Sequence, residues 1–593
     1  MLAGGIGISA RLFYLQIVKG GYYTALAQGQ HTDFVDSSPI RGKIFFQDKF
    51  STGSENPGLS LAATNKDGYL FYIDTKNIGD PNAAAEKISP ILAEFYLYRD
   101  PRYSPYRGAQ ESATSSLLSD AIKSPPSAEG IGENLKKIFE DSENASVKKI
   151  ADRIDETAVE ELKELKISGM DIRKEKYRYY PSDSVAANLL GFVGFSGNDR
   201  VGQYGVEGFY NDHLSGSEKT ERVSVLPGAL HEEKISSGGD IVLTVDHNIQ
   251  YMLEKKIMET KERLQAVNAS AVVMDPKTGA ILALASFDSF DPNYYSDAKN
   301  IDAYLNDAVQ RVFEPGSTFK PFTIAAGIDQ GVITPGTTYE DSGAVRIGEY
   351  TIRNFDLQSH GVQTMTNVLE LSLNTGVVFV EGKLGHDKFR EYAKKFGFDE
   401  RTGVDLQGES GGNIKNIVET NRDINFATAS FGQGIAVTPM QIVKAYSAIA
   451  NGGNMMKPYV VKEIVYQDGT KDAAVPEVAG NPISAKTAAQ VTSMMVSVVE
   501  SGFDRKGGVR GYKVAAKTGT AQIPNQNGPG YSDETIHTFV GFAPAYDPRF
   551  LMLIKMDKPK GIRFASDSLA PTFSKLAEYI LTYLEVPPDA MGE

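Results

Sequence analysis

The sequence predicts an α+β protein in two parts: a large C-terminal domain with a central antiparallel β-sheet between helices, and a β-rich N-terminal part carrying a helical insertion. Three observations predict it. The grammar of the chain changes near residue 235, where a regular succession of strand, helix and strand signals begins. Strand-like runs then stand at both ends of the C-terminal part, with mostly helical sequence from about 317 to 505 between them, so distant segments must close one sheet. The length of 593 residues, at about 100 to 200 residues per domain, requires more than one core.

Taken in order, residues 1–10 (MLAGGIGISA) are apolar and uncharged, but Arg11 interrupts them well short of the about 20 residues that span a bilayer. Leu12, Leu15, Ile17 and Val18 prolong the apolar character, and RLFYLQIVKGGYY places aromatic and basic residues where a helix leaves a membrane. Residues 1–30 are therefore expected to be the end of a single N-terminal membrane anchor, truncated at its start, with a juxtamembrane helix. A buried N-terminal helix is the alternative. Residues 38–80 (SSPIRGKIFFQDK, then GYLFYIDT) show short strands with turns. The Ala, Glu, Lys and Ser-rich stretch 83–166 has helical periodicity in IKSPPSAEGIGENLKKIFE and in KKIADRIDETAVEELKEL, interrupted by SPPS. DIRKEKYRYYP, NLLGFVGF and QYGVEGFYNDHLSG return to strand and turn character.

Beyond residue 235 come strand IVLTV, helix IQYMLEKKIMETKERL, strand SAVVMD, turn PKTG and strand AILALAS. Three further strand-like runs, KVAAKTGTAQ, TFVGFAP and FLMLIKM, precede a helix whose Phe573, Leu576, Ile580 and Leu584 form one apolar stripe.

Composition removes whole classes of chemistry. With 75 Asp+Glu against 61 Lys+Arg the net charge is −14, the wrong sign for a surface that neutralises phosphates, so nucleic acid is not expected as a partner. Cysteine is absent, which excludes thiolate nucleophiles, thiolate metal sites and disulfides. The seven histidines are scattered with no metal-binding spacing, and no metal is expected. His360 and His537 are the two that could fold near a serine nucleophile, though a structural role suits an isolated histidine better.

The chemistry begins in EPGSTFKPF. Pro315 and Gly316 break the chain, and a helix is expected to start at Ser317 with Pro321 in its first turn. Ser317 and Lys320 then lie one turn apart on one face. A serine hydroxyl needs an adjacent base to become a nucleophile, and a lysine can serve only when neutral. Its ordinary pKa of about 10.4 must be lowered by burial or by a second cation. A second element is SLNTG, where Ser372 and Asn374 could present a hydroxyl and an amide together. The third is KTGT, Lys517 to Thr520, on a strand-like run. Each recurs elsewhere, as Ser146 to Lys149, Ser296 to Lys299, Ser-x-Asn at Ser54, Ser142 and Ser196, and Lys277 to Gly279, the last in a hairpin turn.

The order of the three segments carries the specificity, and it resembles the transpeptidase domain of the penicillin-binding proteins. RLFYLQIV, PIRGKI, YYP, GQYGVEGFYNDHLSG, GGDIVLTVDHNIQ, VVMDPKTGAILALAS, SFGQGIAVTPMQ, NGG and HTFVGFAPAYDPR are similar to the class B, monofunctional members. The resemblance implies a pedestal of the dimerisation type over 31–234 and a transpeptidase domain over 235–593. It implies that Ser317 is the nucleophile, Lys320 its general base, Ser372 a proton relay, and Lys517 the cation that keeps the site positive. Asn374 would bond the substrate amide, Thr518, Gly519 and Thr520 would line the substrate site, and the Thr518 and Thr520 hydroxyls would bind the terminal carboxylate of a D-alanyl-D-alanine stem. The backbone N–H groups of Ser317 and Thr520 would form the oxyanion hole. Peptidoglycan stem peptides and β-lactams are the implied ligands, a membrane glycosyltransferase of the elongation or division machinery the implied partner, and the catalytic domain is expected outside the cytoplasm. No cofactor is implied.

Two patterns compete. Glu370 fits a Glu-x-x-Leu-Asn pattern that carries the deacylating glutamate of class A β-lactamases, but here it overlaps the Ser-x-Asn motif. Gly408-Glu-Ser410-Gly-Gly412 fits a nucleophile elbow but sits among glycines, so a loop is expected. A D,D-carboxypeptidase, and a β-lactam sensor or inactive homologue, are the alternative functions.

Overall fold

The computed structural model describes residues 40–51, 57–100, 124–140, 147–196, 199–219, 234–502, 504–525, 528 and 530–589. The expected anchor at 1–30, with Tyr22 and Tyr23, lies outside them, as do the Ser54 and Ser142 motifs.

The core of the C-terminal part is a five-stranded antiparallel sheet. Its strands are β1 (Asn268–Met274), β2 (Ile281–Phe287), β3 (Ala515–Pro524), β4 (Tyr531–Ala543) and β5 (Phe550–Asp557), in the spatial order β2-β1-β5-β4-β3. The β1–β2 hairpin turns at Lys277–Gly279, where Asp275 accepts the Lys277 and Gly279 N–H groups through its side chain and carbonyl. Val272 of β1 pairs with Leu553 of β5, which joins the two ends of the domain across almost 300 residues, as the strand distribution predicts.

Helices α1 (His247–Arg263), α2 (Lys320–Asp329), α3 (Asn374–Leu384), α4 (Pro439–Ala450), α5 (Ala485–Ser501) and α6 (Ala570–Tyr583) pack around this sheet. Sequence signals start several of them. Asp246 caps α1, Thr438 and Gln441 form a reciprocal capping box on α4, and Ser484 caps α5. Both sheet faces are buried, so successive residues of β1 enter different cores. Val273 packs with Leu253 and Ile257 of α1 and Phe573, Leu576 and Ile580 of α6. Val272 packs with Ile324 of α2, Val377 of α3, Tyr446 of α4 and Val491 of α5. Leu584, the last residue of the predicted stripe, stands just past α6 as its cap.

A second, seven-stranded sheet crosses from the N-terminal part into the C-terminal one. Ile44–Gln47 pairs in parallel with Asp240–Asp246 and antiparallel with the long strand Leu59–Asp74, while Val461–Val465 extends the sheet on the other side. Helices Pro81–Glu94, Ala128–Glu140 and Glu156–Glu164 cover its N-terminal end, burying Ile88, Leu135, Phe139 and Leu162 against Phe71 and Ile73. Inside this part, Glu207 is wholly buried between Arg41 and Arg178, at 2.6 and 2.7 Å, and Arg178 also donates to the Gly42 carbonyl at 2.7 Å.

Three local expectations are corrected. KKIADRI is not helical; Val147–Ile154 is a strand against Leu59–Asp74. A bulge there sets Ala151 opposite Phe71 and Ile154 opposite Tyr69. Three residues face two, so the buried pair acquires a helix-like spacing inside a strand. QYGVEGFYNDHLSG is not strand and turn beyond Gln203 but two short helices, Gly205–Phe209 and Asn211–Ser215; their packing around buried Val206, Glu207 and Leu214 overrides the glycines. The mostly helical middle also holds two small antiparallel strand pairs, Thr338–Asp341 with Gly361–Thr364 and Ala344–Ile347 with Tyr350–Arg353.

Candidate active site

Gly316 adopts φ 55°, in the left-handed region that glycine tolerates. It turns the chain into a single 3-10 turn, Gly316–Phe319, which passes directly into α2 at Lys320. The helix expected from Ser317 is therefore tighter in its first turn. Thr318 Oγ1 donates to the Pro315 carbonyl and the Tyr446 hydroxyl of α4 donates to the Thr318 carbonyl, each at 2.7 Å. The Gly316 N–H donates to the Gly432 carbonyl at 3.0 Å, and a Cβ on Gly432 would come within 2.3 Å of the Gly316 oxygen. Ser317 is half-buried in this braced turn.

Lys320, one turn on, is 0% exposed. Its Nζ donates to the carbonyl of Ser372 at 2.5 Å and to the Ser372 hydroxyl at 3.2 Å. Ser372 holds φ 54° to present both groups, a conformation costing a residue with a side chain about 1–2 kcal/mol. Burial, and then the positive charge of Lys517, hold the Lys320 amine well below the ordinary lysine range.

Lys517 lies on β3, an edge strand whose outer side meets the Ser317 turn. It is 1% exposed, and its Nζ donates to the Thr518 carbonyl at 3.2 Å. Burial lowers its pKa while buried Asp504 opposes that shift. Gly519 is required by space: a Cβ there would meet the Pro315 oxygen at 2.9 Å and Thr318 Cγ2 at 3.0 Å. Thr518 and Thr520 share the other face of the pleat. The Thr518 N–H donates to Asp504 Oδ2 at 2.9 Å, and Thr520 Oγ1 accepts the Ala565 N–H at 3.2 Å.

Lys320 therefore meets Ser372 and feels the charge of Lys517, and β3 brings Gly519 against the turn that carries Ser317. Asn374, at the start of α3, is turned differently: its side-chain amide donates to the Arg353 carbonyl at 2.9 Å, and its backbone N–H donates to Asn354 Oδ1 at 3.0 Å. The competing patterns go elsewhere. Glu370 has both carboxylate oxygens engaged, by Ser497 and Asn367. Ser410 sits in an irregular segment and donates to the Gln310 carbonyl. His360 contacts Asp356, whereas His537 is buried against Ser568, with burial lowering its pKa to about 4. Among the described residues no group of three or more acidic or histidine side chains could hold a metal.

Several supporting residues escape sequence reasoning. Tyr446 reads as one more apolar position of a helix, and Asp504 in GFDRKGG carries no signal at all. Glu314, which accepts the Gly434 N–H at 3.0 Å and the Tyr531 hydroxyl at 3.1 Å, ties the segment before Ser317 to two others. Only the glycines of SFGQG hint at a close backbone approach.

Comparison with known proteins agrees with this geometry. The family model of the penicillin-binding protein transpeptidase domain matches residues 269–578, and that of the penicillin-binding protein dimerisation domain matches 37–243. Stage V sporulation protein D of Bacillus subtilis is 30% identical over 592 residues, covering 98% of this chain and 84% of that protein. Peptidoglycan D,D-transpeptidase FtsI of Escherichia coli is 28% identical, covering 74% of this chain and 73% of its own. The crystal structure of penicillin-binding protein 3 from Mycobacterium tuberculosis complexed with aztreonam is similar at a TM-score of 0.63 and 32% identity, over 71% of this chain and 94% of that one. Because the two family models match in tandem, and the Ser317 turn, the Ser372 segment and the Lys517 strand meet inside the first of them, this chain belongs to the class B penicillin-binding proteins.

Proposed function

We propose that this protein is a peptidoglycan D,D-transpeptidase that crosslinks stem peptides through an acyl-enzyme on Ser317. The observation that carries the reading is the placement of Lys320, a buried amine whose Nζ donates twice to Ser372 and whose pKa is lowered by burial and by Lys517. A neutral amine has two N–H bonds and one lone pair. Donation to the Ser372 carbonyl and hydroxyl uses both N–H bonds and leaves the lone pair to take a proton from Ser317.

In the first step Ser317 Oγ bonds to the carbonyl carbon of the penultimate D-alanine while its proton passes to Lys320. The tetrahedral oxyanion is held by the backbone N–H groups of Ser317 and Thr520. When the C–N bond breaks, the proton returns through Ser372 to the leaving amine, and the last D-alanine departs. In the second step an amine from a neighbouring stem attacks the ester, its proton is taken up by the same route, and Ser317 is regenerated. The charged Lys517, with the Thr518 and Thr520 hydroxyls, receives the substrate's terminal carboxylate. The edge of β3, beside Gly519, lets the stem lie alongside as an added strand. Asn374 serves the substrate amide only after its side chain leaves the Arg353 carbonyl. A β-lactam enters by the same first step and stays attached.

The wider setting follows the family: residues 31–234 as an elongated pedestal, residues 235–593 as catalytic domain outside the cytoplasm, attachment to the membrane on the N-terminal side, and a membrane glycosyltransferase as partner. Among the described residues no helix is long and apolar enough to cross a membrane. Incubation with a fluorescent penicillin tests the nucleophile: the protein is expected to label covalently and Ser317→Ala to lose the label, whereas persistent labelling would refute the assignment. Crosslinkable stem peptides test the reaction, with dimer formation expected and release of tetrapeptide acids alone pointing to a carboxypeptidase.

A further inference from the structure

Asp504 is 0% exposed and stands at the start of the 3-10 turn Arg505–Gly507, where a carboxylate ordinarily caps the turn. It caps nothing there. Oδ2 instead accepts the Thr518 N–H at 2.9 Å, and Oδ1 is buried with no hydrogen-bond partner. A buried carboxylate left half unpaired is costly unless a cation balances it.

The surroundings identify that cation. Lys517, adjacent to Thr518 on β3, is wholly buried; burial raises the Asp504 pKa, and the charge of Lys517 opposes that rise. Lys320, from α2, is the other buried amine, and the charge of Lys517 adds to burial in lowering its pKa. Tyr446 faces Asp504 from α4, with its hydroxyl committed to the Thr318 carbonyl. The charges that follow Asp504 in its own segment are engaged elsewhere: Arg505 donates to the Ser501 carbonyl, and Lys506 pairs with Asp567.

We propose that Asp504 is a positioning residue for acyl transfer, whose carboxylate pins the Thr518 amide of the substrate strand and keeps the neighbouring, buried Lys517 ammonium charged. It acts through Lys517 and does not touch substrate. A charged Lys517 meets the substrate carboxylate and keeps Lys320 neutral, so one buried anion sorts two buried lysines into an acid form and a base form. The inference rests on the role proposed above for Lys517.

The test is the pH profile of the second-order rate of acylation by a fluorescent penicillin. Asp504→Asn keeps an oxygen to accept the Thr518 N–H but removes the charge. It is expected to slow acylation about tenfold near neutral pH and to move the alkaline limb of the profile acidward by about one unit. Asp504→Glu is expected to retain the wild-type limb. A limb for Asp504→Asn that coincides with wild type, or an equal loss at every pH, would overturn the inference. If Asp504→Asn does not fold, Asp504→Ser is measured against the same two outcomes. Failure of the underlying reading is separate: it appears as wild-type labelling that survives Ser317→Ala.

Discussion

Lys320 directs its Nζ at the carbonyl of Ser372, 2.5 Å away, and at the hydroxyl of the same residue, 3.2 Å away, from a position with no solvent exposure. One residue in a left-handed conformation therefore supplies both acceptors for a buried amine, and the fold carries the cost of that burial.

Lys320→Met should expose this trade. Methionine fills a similar volume without an amine to desolvate, so acylation by penicillin should fall at least about a hundredfold. The melting temperature should rise, by about 2–4 °C for a gain of about 1 kcal/mol. Calorimetry showing a large loss of stability would mean that the amine stabilises the fold.

The pH dependence has a fixed sign. Burial and Lys517 lower the folded-state pKa of Lys320, so the unfolded chain binds a proton that the folded chain lacks between the lowered value and about 10.4. Across that window stability rises with pH and falls as pH drops, and acylation climbs as the amine becomes neutral. Denaturant titrations at several pH values, with Lys320→Met as control, should show the lysine's contribution to this slope disappear.

Gly519→Ala places a methyl group 2.9 Å from the Pro315 oxygen and 3.0 Å from Thr318 Cγ2. Relief requires moving β3 away from the Ser317 turn. We expect a stability loss of about 1–3 kcal/mol, with acylation reduced by at least tenfold, as measured by stopped-flow labelling.

Glu207→Gln removes the anion buried between Arg41 and Arg178 and should cost about 3–5 kcal/mol, because two guanidinium groups lose their counter-charge. Burial raises the Glu207 pKa, but the two arginines outweigh it and hold the carboxyl below its ordinary value. Its contribution is therefore present above the unfolded value and lost as pH falls through the folded one. Acid denaturation monitored by circular dichroism should show the wild type losing this advantage over Glu207→Gln.

The central sheet is legible in the sequence because β1, β2, β5 and the second half of β4 are apolar runs bounded by turns, and α6 because Phe573, Leu576 and Ile580 recur at helical spacing. The Ser317, Ser372 and Lys517 segments are legible for a chemical reason, since each is a short motif of hydroxyl, amine and amide residues at fixed spacing. What stays hidden depends on neighbours. The bulge at Ala151–Ile154 imitates a helix, and the helices around Glu207 depend on packing rather than propensity. Asp504 acquires meaning only when Thr518 arrives from across the fold. The side-chain direction of Asn374 is equally unreadable, because Arg353 belongs to a hairpin that helical averaging conceals.

The sheet that runs from Leu59–Asp74 through Ile44–Gln47 into Asp240–Asp246 and Val461–Val465 makes the N-terminal part a stiff strut and not a tether. A flexible linker would let the two parts swing; a ladder of main-chain hydrogen bonds holds them in one orientation. Load applied to the N-terminal strands therefore passes along paired backbone into Asp240–Asp246 instead of being lost in a swivel.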